Sequence, residues 1–215
     1  MGLLSVAIWL TIFLGGLLLA LGRDENAATV RWVALIGSIA SFLVTLPLIA
    51  GFKRDTAVMQ FEESLSWIAS FKANYHLGVD GISVWFVLLT AFITIIVVVS
   101  AWEVITERVH QYMGAFLILS GLMIGVFSAQ DAMLFYVFFE ATLIPMYLII
   151  GIWGGPNKIY AAFKFFLYTL LGSLLMLVAL IYLYYVSQSF SIIDWYHVPL
   201  SMQSQLLLFV AFFLA

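Results

Sequence analysis

The sequence predicts an all-α polytopic membrane protein, on three observations. Of the 215 residues, 65% are hydrophobic and 9% are charged, whereas soluble domains have about 45–50% apolar and about 25% charged residues. The start of the chain lacks the basic region and small-residue cleavage site of a secretory signal, so the first apolar run is expected to stay as a helix. Six apolar runs are close to the ~20 residues that cross a bilayer, near 3–22, 32–50, 82–102, 113–129, 132–153 and 161–186.

A seventh apolar run opens near Ser204 and continues to Ala215, which is too short to span a bilayer. We expect it to be the first part of a truncated spanning helix, which makes the chain the N-terminal part of a longer protein. The alternative is a short tail helix lying in the membrane interface.

Several function classes find no support in the sequence. Without cysteine there is no thiolate metal site, and the net charge of −3 without a basic run argues against nucleic acid. The predicted loops hold His76, His110 and His197, without the spacing of metal ligands. Phosphate loops and nucleophile triads are also missing. We therefore expect no cofactor and no metal on this chain.

The charges of the loops predict the orientation. The first, third and fifth loops carry the basic residues Arg23, Arg31, Arg108 and Lys158. Because basic loops favour the cytoplasmic side, the N-terminus is expected outside. Three basic residues in the long second loop, residues 52–81, oppose this assignment: Lys53, Arg54 and Lys72.

Local patterns in the loops predict a strand and two helix caps. Apolar residues alternate with polar ones from Phe71 to Val79, which indicates a short strand packed on the helix ends. Asp80 is placed to cap the third helix, and Asp131 to cap the fifth.

Glu140 is the most informative residue, because it is a carboxylate inside the almost wholly apolar fifth helix. Placing a charge at the bilayer centre costs roughly 3 kcal/mol on insertion scales, so an ionisable group there is a functional candidate. A neighbouring cation favours the charged form of a carboxylate and burial disfavours it, so a mobile lysine could set its charge. The alternative is a protonated glutamate whose only role is to stabilise helix packing.

The neighbours of Glu140 suggest hydration. Pro145 cannot donate to the carbonyl of Ala141, which frees an acceptor beside the acid, and Tyr147 shares the face of Glu140. A kink with a free carbonyl can hold the water that a proton relay needs.

The sixth helix adds a second polar stripe, in which Lys164 is followed by Tyr168 and Gly172 on one face. This stripe could line a hydrated path, but a lysine near a helix end also commonly extends to the interface. Small residues of the fourth helix are expected to serve helix packing: Ser120, Gly121, Gly125 and Ser128.

Three segments resemble the antiporter-like, proton-translocating membrane subunits of NADH:quinone oxidoreductase, respiratory complex I. The segment Phe138-Phe-Glu-Ala-Thr-Leu-Ile-Pro-Met-Tyr-Leu-Ile-Ile-Gly-Ile-Trp-Gly-Gly155 is similar to their fifth-helix signature, and its Pro-Met-Tyr and Trp-Gly-Gly elements resemble the chain M branch. His76-Leu-Gly-Val-Asp-Gly-Ile-Ser83 and Ala161-Ala-Phe-Lys-Phe-Phe-Leu-Tyr-Thr169 agree with it. The likeness covers nearly the whole chain.

The resemblance implies a fold of about fourteen helices with two inverted five-helix repeats and a midplane chain of charged residues. Residues 1–111 would then be an N-terminal three-helix region with a long outside loop, and 112–215 an incomplete first repeat. Glu140 would be the acid of the fifth helix and Lys164 the lysine of the sixth, a weaker candidate. NADH, flavin, iron–sulfur clusters and quinone would belong to partner subunits of a bacterial inner-membrane complex.

Two other readings stay open. A related cation/proton antiporter or a hydrogenase-linked membrane complex would use a similar subunit. A purely structural membrane subunit would use Glu140 for packing alone.

Overall fold

The structure, a computed structural model, describes residues 2–56 and 58–215. Six of its described helices are long and apolar enough to cross a membrane. They are α1 (Leu3–Leu21), α2 (Ala27–Ala50), α3 (Ser83–Val104), α4 (Val109–Ser128), α5 (Ala132–Trp153) and α6 (Lys158–Ser187). A four-residue helix α7 (Ile192–Trp195) and an apolar helix α8 (Met202–Leu214) follow. The predicted all-α architecture and the six spans are confirmed.

Three helices begin earlier than the sequence predicted: α2, α4 and α6, the last of which begins at Lys158, a residue assigned to the fifth loop. Helix α2 begins at Ala27 and therefore contains Arg31, whose Nη2 donates to the carbonyl of Ile105 at 3.0 Å. This bond lets a charged residue lie in the first turns of the helix. The prediction that His110 lies in a loop was wrong, because α4 begins at Val109 and His110 is in its first turn. Its Nδ1 lies 2.9 Å from Asp24 Oδ1.

The packing divides the chain into two compact units. Unit 1 contains Met1–Glu63 and Leu77–Ser128, and unit 2 contains Ser64–His76 and Ala129–Ala215. Unit 1 thus holds α1 to α4, and unit 2 holds α5 to α8. The repeat boundary near residue 112 stays a prediction, which this division by packing does not address.

The core of unit 1 is the antiparallel pair α1 and α4, which approach closely through glycines. A Cβ added at Gly15 would lie 2.6 Å from the carbonyl oxygen of Gly114, and one added at Gly121 would lie 2.7 Å from that of Ile8. Small residues allow such approach between membrane helices. Gly121 therefore serves packing, as the sequence predicted.

Glu63 stabilises the start of α1 from the long second loop. Its Oε1 accepts from the backbone N–H groups of Leu4 at 2.9 Å and Ser5 at 3.2 Å, and its Oε2 accepts from that of Gly2 at 2.9 Å. The first N–H groups of a helix have no partner within it, and an anion there is favoured by the helix dipole. No local sequence pattern indicates this cap.

The second loop folds into a two-stranded sheet of β1 (Gln60–Ile68) and β2 (Ala73–Val79), joined by the turn Ala69–Phe71. Strand β2 confirms the predicted strand, although Phe71 belongs to the turn. Strand β1 was not predicted, because most of its side chains are exposed and give no clear alternation.

The predicted cap of α3 is confirmed by its hydrogen bonds. Asp80 Oδ1 accepts from the N–H of Ser83 at 2.6 Å and that of Ile82 at 3.0 Å, and Ser83 Oγ accepts from the N–H of Asp80. Three hydrogen bonds thus form within four residues, so the chain turns sharply into the helix.

Unit 2 packs α5 against α6, and α8 runs antiparallel to α6. The hydroxyls of Tyr182 and Ser204 are 3.1 Å apart at one end of the α6–α8 pair. At the other end, a Cβ added at Gly172 would lie 2.9 Å from the carbonyl oxygen of Leu214. A small core of five buried residues lies under the loops of this unit: Ala73, Ala132, Met176, Leu180 and Phe190.

Candidate functional site

The candidate site lies on α5 and α6, and Asp131 fixes where α5 begins. Asp131 Oδ1 accepts from the N–H groups of Met133 at 2.9 Å and Leu134 at 3.1 Å, as predicted for an N-cap. Its Oδ2 accepts from the N–H of Asn74 at 2.9 Å. The carboxylate therefore joins the start of α5 to strand β2.

The electrostatics of Asp131 reflect its position in the interior. The side chain is almost completely buried. Burial raises the pKa of the Asp131 carboxyl above its ordinary value, whereas the N–H donors of Asn74, Leu134 and Met133 act to lower it.

Glu140 lies two turns further along α5, with its side chain partly buried. Its Oε2 is shielded from solvent and has no hydrogen-bond partner among the described residues. An oxygen of this kind costs free energy unless a proton, a water or a further group meets it. The structure thus places an incompletely satisfied carboxyl group inside a spanning helix.

Pro145 and Tyr147 lie one and two turns after Glu140. Pro145 is buried inside α5, where its missing N–H leaves the carbonyl of Ala141 without a helical donor. The ring of Tyr147 packs edge-on against Phe163 and Phe166 of α6, with ring centroids 5.8 and 5.6 Å away. In this chain the tyrosine ring serves helix contact, and hydration at the kink remains a prediction.

The described residues do not bring Lys164 into an ion pair with Glu140. The Lys164 side chain is exposed on α6, and its Nζ lies over the ring of Tyr160, 5.8 Å from the centroid. Tyr168 is 79% exposed, whereas Gly172 on the same predicted stripe is buried. The predicted stripe is therefore exposed at Lys164 and Tyr168 and buried at Gly172.

The structure reveals a polar pair near Glu140 that the sequence reasoning missed. The side chain of Tyr136 interacts with that of Ser173 on α6 and electrostatically with Glu140. Ser173 is completely buried. The spacing of four residues between Tyr136 and Glu140 was the available signal, because it puts both on one face of α5.

Comparison with known proteins agrees with this fold. Residues 129–215 match the family described as NADH:quinone oxidoreductase/Mrp antiporter, TM. NADH-quinone oxidoreductase subunit M of Rhodobacter capsulatus is 48% identical over 98% of this chain and 44% of its own length. NADH-ubiquinone oxidoreductase chain 4 of Arabidopsis thaliana is 41% identical over 93% of this chain and 41% of its own length.

Solved structures give the same result. A chain of respiratory complex I from Thermus thermophilus superposes with a TM-score of 0.84 at 30% identity, covering 99% of this chain and 43% of that one. A chain of the Mrp complex from Dietzia shares the fold, with a TM-score of 0.75 at 16% identity, covering 97% of this chain and 22% of that one.

The fold and the matched segment define an integral, multi-pass membrane protein of the antiporter-like family. The chain belongs to this family, and its sequence relatives are subunit M proteins of NADH-quinone oxidoreductase. It spans less than half the length of the curated relatives it matches.

Proposed function

We propose that this chain is the N-terminal part of a membrane-arm subunit of NADH:quinone oxidoreductase, which couples electron transfer on other subunits to proton translocation. The observation that carries the proposal is the Glu140 carboxyl group inside a spanning helix, with one oxygen buried and without a hydrogen-bond partner among the described residues. A packing glutamate would be expected to have its buried oxygens satisfied. The names of the relatives supply the parent complex.

Glu140 is the proposed proton-transfer and ion-pairing residue. A carboxyl group in an apolar helix takes up a proton when no cation is near and releases it when a cation approaches. Lys164 is the second candidate and would act from its exposed position on α6 when a neighbouring element covers it. Pro145 and Tyr168 would support hydration of the path, together with Tyr147.

The proposed setting is the inner membrane of a bacterium, with the N-terminus outside. The orientation is supported by the charge bias of cytoplasmic loops, because Arg23 and Arg108 lie in the loops after α1 and α3, and Arg31 and Lys158 lie at the starts of α2 and α6. NADH oxidation and quinone reduction belong, in this proposal, to partner subunits that hold the flavin and the iron–sulfur clusters. No step of electron transfer is assigned to this chain.

The test is Glu140→Gln in the complete protein, assembled in membrane vesicles. We expect NADH-driven proton uptake and coupled NADH oxidation to fall by at least about tenfold, because the amide keeps the shape and cannot exchange the proton. The amount of assembled complex should not change.

The matched control is Glu103→Gln, which makes the same substitution at an exposed glutamate at the end of α3. It should leave both rates as in the wild type. Wild-type rates in the Glu140→Gln variant would refute the proposal and would leave helix packing as the role of Glu140. Proton uptake that depends on added Na⁺ or K⁺ rather than NADH would favour a cation/proton antiporter, whose fold the chain shares.

A further inference from the structure

We propose that an open cavity at one end of the α2–α3 pair binds the phosphate group of a membrane phospholipid. The cavity has a volume of about 240 Å³, and six residues line it: Ile49, Phe52, Arg54, Gly81, Val84 and Trp85. All six belong to unit 1. The proposed function assigns no role to any of them, so this inference does not depend on it.

The position of the cavity along the helices corresponds to the headgroup region of a bilayer. Ile49 lies in the last turn of α2, and Val84 and Trp85 lie in the first turn of α3, so both spanning helices end at the cavity. The apolar spans cover the hydrocarbon core, and their ends reach the layer that contains the lipid phosphates. Trp85 is 55% exposed there, and tryptophan is enriched at this depth of membrane proteins.

Arg54 supplies the positive charge of the cavity. Its side chain is exposed, and no other described residue holds its guanidinium by a hydrogen bond or an ion pair. A guanidinium can donate two parallel hydrogen bonds to phosphate oxygens, which suits arginine to phosphate binding. Asp55 follows in the chain but does not line the cavity, so no carboxylate among the described lining residues competes with a phosphate.

The chain on both sides of the cavity is held in place by hydrogen bonds. The N–H of Lys53 donates to Gln60 Oε1 at 2.8 Å, and Gln60 Nε2 donates to the carbonyl of Lys53 at 2.7 Å. On the other side, the Asp80 cap holds the chain before α3. These bonds fix the backbone next to Arg54 and Gly81, so the cavity is formed before a ligand enters, which limits the entropy lost on binding.

An exposed apolar stripe on α3 continues from the cavity towards the middle of the membrane. Its residues occupy positions i, i+4, i+7 and i+11 of one helix face, and each is between 47% and 55% exposed: Trp85, Leu89, Phe92 and Ile96. At about 1.5 Å per residue the stripe is roughly 16 Å long, close to half of the ~30 Å hydrocarbon core. An acyl chain that starts at the cavity can therefore lie along α3 through one leaflet.

A bound phosphate also gives a reason for a basic residue on this side of the membrane. Arg54 is one of the three basic residues of the second loop that oppose the predicted orientation. The negative charge of a lipid phosphate would balance the guanidinium at this position. In the proposed orientation, the lipid belongs to the outer leaflet.

The experiment measures the binding of phosphatidylglycerol to the complete protein in detergent, by native mass spectrometry. We expect Arg54→Gln to weaken the binding of the first lipid by about tenfold, because the amide carries no charge for the phosphate. Lys53→Gln is the matched control, since it removes the same charge one residue away from an exposed side chain that does not line the cavity. It should change the affinity by less than about twofold, as expected for a screened surface charge.

A second variant fills the cavity and keeps the charge. Gly81 lines the cavity, and nothing lies within 4 Å of a Cβ added there, so Gly81→Leu can extend into it without displacing a neighbour. We expect a loss of about tenfold in this variant also, because the leucine takes the space of the phosphate. Gly155→Leu, at a glycine with the same free space in the loop before α6, should bind the lipid as the wild type does.

Each of four results would overturn the proposal. Equal losses in Arg54→Gln and Lys53→Gln would show a general attraction by charge, and wild-type affinity in Gly81→Leu would show that the lipid binds elsewhere. Glycerol phosphate that binds as tightly as the lipid would show a site for a soluble phosphate. A photo-reactive benzoylphenylalanine in place of Ile82 should label phospholipid in intact membranes, and a label on a protein instead would assign the cavity to a protein partner.

Discussion

The helix-capping aspartates of unit 1 and unit 2 differ in the direction in which their pKa is shifted. Asp80 in unit 1 and Asp131 in unit 2 each accept backbone N–H groups at the start of a spanning helix. The N–H and hydroxyl of Ser83 hold the pKa of Asp80 below its ordinary value, whereas burial raises the pKa of Asp131. The two carboxyl groups thus make similar local contacts but have opposite pKa shifts, because Asp131 is buried and Asp80 keeps contact with water.

The same contrast holds inside the membrane. Unit 1 joins α1 to α4 by close backbone approach, and its helix ends are satisfied by Glu63, Asp24 and Asp80. Within its most apolar window α4 is 56% buried, whereas α5 of unit 2 is 22% buried. Helix α5 also carries Glu140, one oxygen of which has no hydrogen-bond partner in the described part of the chain. Unit 1 has the features of a scaffold, and unit 2 holds the acid for which we propose proton exchange.

The largest effect is expected where the helices of unit 1 touch. Gly15→Val places a Cβ 2.6 Å from the carbonyl oxygen of Gly114, so α1 and α4 must separate. We expect a loss of about 3 kcal/mol and little assembled protein in the membrane. Gly16→Val is the control, because nothing lies within 4 Å of a Cβ added there. Equal levels of the two variants, read from immunoblots of membranes, would contradict the scaffold role.

The next test compares the two caps directly. Asp131→Ala leaves three N–H groups without their acceptor in a buried site and should destabilise the protein by about 3 kcal/mol. Asp80→Ala should cost about 1 kcal/mol, the usual value of an N-cap, since water can replace the carboxylate. Thermal midpoints of the purified protein in detergent, followed by circular dichroism, measure both. A larger loss for Asp80→Ala would reverse the comparison.

Glu63 gives a test of a cap that comes from a distant part of the chain. Glu63→Ala removes the acceptor of three N–H groups at the start of α1, and we expect a loss of about 1–2 kcal/mol. Glu63→Gln keeps one carbonyl acceptor and should lose about half as much. If the glutamine and alanine variants melt together, the negative charge rather than the hydrogen bonding stabilises α1.

The smallest effects follow from pH. The raised pKa of Asp131 means that the folded form binds its proton more tightly, so the contribution of Asp131 to stability falls as the pH rises above 3.8 through the folded pKa. The lowered pKa of Asp80 means that its contribution is present above 3.8 and is lost as the pH falls through the folded pKa. Thermal midpoints of wild type minus Asp131→Asn and wild type minus Asp80→Asn should therefore have opposite slopes against pH. Slopes of the same sign would show that burial does not separate the two caps.

The sequence predicted the spans because their length and apolarity are local properties. The start of α2 was placed too late, since Arg31 reads as a loop residue until its bond to the distant carbonyl of Ile105 is seen. Strand β1 and the cap by Glu63 depend on contacts between residues far apart in the chain, which periodicity does not encode. The caps Asp80 and Asp131 were predictable because their partners are the next few residues.

The residues of the candidate site also differ in whether a local sequence signal could predict them. Glu140 could be found because one acid among apolar residues is a compositional signal. The interaction of Tyr136 with Ser173 depends on how α5 packs on α6, whereas the predictions from sequence concerned Lys164 and Tyr168. These two residues are exposed in this chain, so their proposed roles depend on what covers them.

The close pairing of α1 with α4 has a consequence for synthesis. The glycine of α1 that touches α4 is made about 100 residues before its partner, which corresponds to on the order of 5–20 s of translation. During that interval α1 lies in the bilayer without the helix that it contacts most extensively, while α2 and α3 are being inserted. The first helix of this protein is therefore expected to depend on lipid or on the insertion machinery until the fourth helix arrives.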